Sequence, residues 1–217
     1  MGTDIHGRIQ FRYAEDAKYK DVGEIERDRN YNVFAMLAGV RNGVGFAGVK
    51  THEPLVPISE PRGLPDDLET LPDDDTAIAI YSYDFVDAEE EQVRGRYWLG
   101  DHSHSWLTLT EINAWDGWGK RLACTGILEA AEFKRIEAEG GEPREWSGGC
   151  WGPSVVIVPA EEARAGKPHT HVRHEWTVPF VQYAGVFKAW LDYMTLKHGW
   201  LLKKDPDSVR IVFGFDS

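Results

Sequence analysis

At 217 residues, with 42% apolar content and nine tryptophans, the chain is long enough to bury the core of one domain. Its 24 basic and 36 acidic residues give a formal charge of −12, and no basic run tracks a phosphate backbone, which argues against duplex nucleic acid as a partner. No apolar run reaches membrane-spanning length, the first residues lack the basic and apolar regions of a signal peptide, and Cys124 and Cys150 form no C-x-x-C pair. A reducing cytoplasm, with no membrane partner, is therefore the expected setting.

Residues 4–13 alternate as a strand, with Ile5, Gly7, Ile9 and Phe11 on one face and Asp4, His6, Arg8 and Gln10 on the other. Asp4 and His6 project together, either as a solvated edge or as part of a site. The charged stretch 14–26 reads as a surface hairpin or loop. Residues 30–43 read as a short helix, with Asp28 or Asn30 as N-cap, Gly43 near the C-cap and an apolar stripe of Phe34, Leu37 and Ala38. Asn30 and Arg41 fall close to that stripe at opposite ends.

Residues 43–76 hold four glycines and five prolines, marking a long irregular segment of the kind that forms lids and binding loops. Within it Pro61-Arg62-Gly63-Leu64-Pro65 presets the backbone around one arginine. A guanidinium pinned in this way loses less entropy on gripping phosphate or carboxylate, although the same residues also suit a plain rigid turn. A strand is expected over 77–85. A short one over 96–99 delivers the chemically richest stretch, Gly100-Asp101-His102-Ser103-His104-Ser105-Trp106-Leu107.

Run extended, this stretch puts His102 and His104 on one face, which is metal-ligand spacing. Thr108-Leu109-Thr110-Glu111 then reads as a capping box, so a helix starts at about Leu109 with N–H groups facing the histidines, an alternative phosphate site. Beyond it the pattern gives a surface helix over 128–138, a second large loop over 139–153 and a buried-looking strand over 154–158. A half-exposed strand over 169–176 carries a second pair, His169 and His171. A long helix with Pro179 in its first turn is stopped by Gly199, and a strand over 208–216 closes the chain. With no regular βαβ alternation, the expected fold is α+β: a mostly antiparallel mixed sheet, three or four helices, and functional loops at about 43–76 and 139–153 in a single domain over 1–217.

The segments Asp4-Ile5-His6, Arg29-Asn30-Tyr31 with Phe34-Ala35 and Leu37-Ala38-Gly39-Val40-Arg41, Pro61-Arg62-Gly63-Leu64-Pro65 and His102-Ser103-His104-Ser105-Trp106-Leu107 together resemble an uncharacterised family of small proteins encoded by phages and prophages. That motif carries a Cys where this chain has Thr3, so no thiol is required there. The resemblance transfers no catalytic residues. It implies a phage accessory protein in the cytoplasm of a host bacterium, with counter-defence as one class of role.

No G-x-S-x-G elbow, P-loop, G-x-G-x-x-G or H-E-x-x-H is present, so no recognised catalytic set is complete. The leading expectation is a protein that binds and sequesters a small nucleotide-like signal molecule, with a homo-oligomer as one arrangement. Arg29, Arg41 and Arg62 would take phosphate, Tyr31 and Trp106 would stack on a base, and Asp4, His6, Asn30, His102, His104 and Ser105 would supply further polar contacts. The alternative is a metal-dependent hydrolase of a phosphoester or nucleotide, with Asp4, His6, His102 and His104 around a divalent ion. Both readings require these residues to converge on one cavity.

Overall fold

The computed structural model describes residues 2–25, 29–44, 49–51, 53–68, 99–146, 155–164 and 170–216. Among these, eight strands and seven helices make an α+β fold with two four-stranded sheets. The first sheet has the order β2 (Lys20–Glu24), β1 (Asp4–Phe11), β8 (Val209–Asp216) and β4 (His102–Thr108). The second has the order β3 (Lys50–Thr51), β5 (Arg121–Glu129), β7 (Thr170–Pro179) and β6 (Val156–Ile157). Pairing is antiparallel throughout except between β6 and β7. The helices are α1 (Tyr31–Ala38), α2 (Leu109–Ala114), α3 (Ala130–Glu139), α4 (Ala160–Arg164), α5 (Phe180–Tyr183), α6 (Gly185–Lys197) and α7 (Gly199–Leu202). No helix among the described residues is long and apolar enough to cross a membrane.

Strand β8 organises the first sheet because it pairs on both edges and is covered on both faces. Val209, Ile211, Phe213 and Phe215 join the main core, where they meet Ile5 and Ile9 of β1, Phe34 and Leu37 of α1, and Leu122, Cys124 and Val178 of the second sheet. The Phe215 ring packs edge-on against Phe34 at 5.2 Å. Burying each such phenyl ring contributes about 2 kcal/mol. The alternate residues Arg210, Val212 and Gly214 point to the other face. There Val212 and Leu99 form a small second cluster with Leu64, Leu68 and Trp106.

Local chemistry explains the ends of α1. The Asn30 side chain accepts from the Asn32 and Val33 amides, and Gly39, at φ 70°, terminates the helix by donating to the Ala35 carbonyl. The stop therefore comes one turn before Gly43, because the left-handed conformation is already available at Gly39.

Other expectations need correction. Strand β5 was not anticipated, and it takes Leu128 and Glu129, so the helix expected from 128 starts at Ala130. The strand expected to be buried over 154–158 is the two-residue edge strand Val156–Ile157, with both side chains exposed. Pro179 ends β7 and caps α5, and the long helix begins only at Gly185. The helices beyond the expected three or four are short pieces such as α4, α5 and α7. The strand expected over 77–85, most of that over 96–99, parts of both long loops and His169 lie outside the described residues.

Gly214 is the tightest point of the first sheet: a Cβ there would collide with the Leu99 carbonyl oxygen and the His104 ring. Gly214→Ala is expected to lower stability by about 3 kcal/mol through overpacking, read from urea unfolding; an unchanged midpoint would contradict so close a crossing.

Candidate functional site

The histidine stretch does not run as a regular strand. His102 faces Phe215 across the β4–β8 pairing and Ser105 faces Phe213, so three steps on β4 match two on β8. The extra residue is absorbed by a bulge in which Ser103 takes a positive φ of 52°. As a result the His102 ring stacks on Phe215, 6.1 Å between centroids, while the His104 ring lies against Gly214 and its Nε2 is 3.1 Å from the Gly100 carbonyl oxygen. Successive residues of β8 face opposite sides, so the two imidazoles are separated by the sheet and do not share a face.

The N-terminal candidates gather at the end of the sheet, where they tie chain segments together. Arg29 donates from Nε to Asp4 Oδ1 at 2.6 Å, and this bond holds the Asp4 carboxyl below the usual carboxylate range against the opposing effect of burial. His6 Nε2 lies 3.2 Å from Asp216 Oδ2. The buried Thr3 donates its amide to the Tyr31 hydroxyl and accepts from Arg41 Nε at 2.7 Å. Asn30, besides capping α1, donates to the Tyr183 carbonyl at 2.6 Å. Asp4 and His6 are thus engaged with Arg29 and Asp216. Among the described residues, no three His, Cys, Asp or Glu side chains form a group able to hold a metal ion. His171, on β7 of the other sheet, does not join the first histidine pair.

The proline-bracketed arginine is pinned, as its sequence implies. The Arg62 amide donates to Ser105 Oγ at 3.1 Å and the Gly63 amide to the His104 carbonyl at 2.9 Å, so this segment is laid along the outer edge of β4. The Arg62 guanidinium sits 5.0 Å over the Trp106 ring and grips Glu111 with two bonds, of 2.6 and 3.2 Å. Glu111 also completes the expected capping box with Thr108 at the start of α2.

Between this loop, β8 and the β1–β2 connection lies a cavity of about 580 Å³ lined by Arg12, Tyr19, Arg62, Trp106, Glu111 and Arg210 together with Leu64 to Asp67, Thr108 and Asp207. That volume is in the range of small-molecule sites. A second recess of about 410 Å³, lined by Arg29, Asn30, Trp146, Trp176 and Tyr183 among others, lies elsewhere. The candidate residues therefore divide: Arg62 and Trp106 line the first, Arg29 and Asn30 the second, and Asp4, His6, Tyr31, Arg41, His102, His104 and Ser105 line neither. Among the described residues, the candidates do not line the one shared cavity expected from the sequence.

Arg210 is the residue that sequence reasoning missed. Its side chain is only 4% exposed, its Nε donates to Gln10 Oε1 at 2.9 Å, and its Nη1 lies 2.8 Å from Asp67 Oδ1. The guanidinium also stacks 3.7 Å over the Tyr19 ring, but Nη2 is buried with no hydrogen-bond partner among the described residues. A buried N–H of a charged group left without an acceptor is costly. It marks a place where an anion would be stabilised.

Compared with known proteins, the chain matches no family model, no curated protein and no solved structure.

Burial pushes the Glu111 carboxyl up, but hydrogen bonds from Arg62 and Thr108 outweigh it and hold the group below its ordinary value of 4.5. The folded-state value is the lower one, so the contribution to stability is complete above the unfolded value and is lost as pH falls through the folded value. The stability difference between wild type and Glu111→Gln should be constant at neutral pH and shrink below about pH 4.5. A difference that persisted unchanged at the acid end would contradict the charged pairing with Arg62.

Proposed function

We propose that the chain is a binding protein for a small nucleotide-like anion, held in the cavity floored by Arg210, and that it acts by sequestering this molecule. The observation that carries the reading is that Arg210 lines a cavity large enough for a nucleotide while its buried Nη2 has no hydrogen-bond partner among the described residues. Around it stand the two groups such a ligand needs. Arg12 and Arg62 supply further cationic contacts for phosphate, and Trp106 and Tyr19 supply ring surface for a base.

The assignment of the captured molecule to a host signal, and of the protein to phage counter-defence, rests on the motif resemblance. The pocket supports the binding step alone. The reading as sequestration draws on what the lining offers for recognition, guanidiniums and aromatic rings. Sequestration needs only tight, differential binding.

Calorimetry with AMP, a cyclic dinucleotide and a cyclic NAD-derived nucleotide should give saturable binding at one site per chain for at least one of them. Arg62→Gln, at a partly exposed position, should weaken that binding by about tenfold, the value of a lost charge-assisted bond. His102→Ala should leave it unchanged, because His102 does not line the cavity. Absence of binding across the panel, or loss on changing His102 with Arg62 indifferent, would remove this reading.

A further inference from the structure

Arg210 can present only one edge to a ligand, and that edge is already half occupied. Gln10 takes Nε, so the pair left for an incoming anion is Nη1 and Nη2, the end of the guanidinium fork. Asp67 contacts Nη1, and Nη2 has no partner among the described residues. The two groups that hold Arg210 differ in how readily they can leave. Gln10 is 2% exposed and is fixed opposite Arg210 by the register of β1 with β8. The Asp67 side chain is 53% exposed and belongs to a loop, two residues beyond Pro65.

The other carboxylates at the cavity are less suited to exchange. Glu111 is held by Arg62 and also by the amide and hydroxyl of Thr108, so removing it breaks the cap of α2. Asp205 does not line the cavity, and it holds the lining Arg12 at 2.9 Å with both side chains largely buried. The lining carries three arginines, Arg12, Arg62 and Arg210, against Asp66, Asp67, Glu111 and Asp207. With carboxylates so matched to guanidiniums, an anion entering as an extra charge would meet repulsion, and one that replaces a carboxylate would not.

Resting on the ligand-binding reading of this cavity, we propose that Asp67 is an internal stand-in for a phosphate monoester: its carboxylate sits on Arg210 where the phosphate of the ligand sits, and the ligand binds by exchange. The exchange keeps the buried guanidinium neutralised in both states, which is the condition for carrying such a charge inside the fold. It also favours a phosphate monoester over weaker anions. A monoester carries about two negative charges at neutral pH and offers three oxygens, enough to engage Nη1 and Nη2 together, whereas the Asp67 contact spans Nη1 alone.

The test is calorimetric titration of wild type, Asp67→Asn and Asp66→Asn with inorganic phosphate and with AMP at one ionic strength. Asp66→Asn removes the same charge from the same exposed loop without removing the Arg210 contact. Thermal unfolding with and without phosphate is run beside the titrations, because Asp67→Asn leaves Arg210 to Gln10 and Tyr19 and is expected to be less stable until the probe binds. Asp67→Asn is expected to bind both probes at least about fivefold more tightly than wild type, while Asp66→Asn stays within about twofold. If Asp67→Asn binds no better than wild type, or Asp66→Asn gains as much, the exchange is overturned while wild-type binding of AMP leaves the cavity reading standing. If neither phosphate nor AMP binds wild type or Asp67→Asn, the exchange is overturned too, and the cavity reading is then decided by the cyclic nucleotides.

Discussion

A guanidinium on the middle strand of a sheet covered on both faces has to be neutralised where it stands. Leaving such a charge unpaired costs several kcal/mol, more than a small domain can carry without compensation. Around Arg210 that compensation comes from distant parts of the chain: Gln10 of β1, Tyr19 before β2, and Asp67 beyond the proline-bracketed turn. The outer face of the first sheet consequently cannot be sealed by apolar side chains alone. It is apolar over Val212, Leu99, Leu64 and Leu68, and beside them it opens into a cavity with charged walls.

The same constraint explains the company kept by the loop at 61–68. Arg62 and Gly63 hydrogen-bond to the edge of β4, Arg62 lies over Trp106, and Leu64 and Leu68 cover the apolar half of the face. One short segment thus closes an exposed sheet edge, covers a hydrophobic patch and brings Asp67 to Arg210. Burying the edge in this way also removes a template for unwanted strand pairing. The residues at the N-terminal end of the sheet do different work: Arg29, Tyr31 and Arg41 fasten α1 to Thr3 and Asp4.

Features set by local chemistry were legible in the sequence. The alternation in β1, the Asn30 cap and the Thr108 capping box each depend on neighbours within a few residues, and each is found in the structure. The histidine pair misled because period-two reasoning assumes an unbroken strand, and a single bulge at Ser103 moves one imidazole to the other face. Strand β5 was missed because Arg121–Glu129 alternates poorly, its fourth to eighth residues being buried in succession between neighbouring strands. For Arg210 the signal was present and unread: it is the lone basic residue in a strand that is otherwise almost wholly apolar. Which partners neutralise it depends on residues 143 and 200 positions away in sequence, and no local pattern carries that information.

On the function proposed above, Arg210 is a buried cation kept for a ligand. Nitrogen-15 spectra of the arginine side chains, recorded as AMP is added, test it most directly. On binding, the Arg210 Nη signals should shift, with Nη2 moving toward the hydrogen-bonded range. Saturation with AMP that leaves the Arg210 signals unmoved would contradict it.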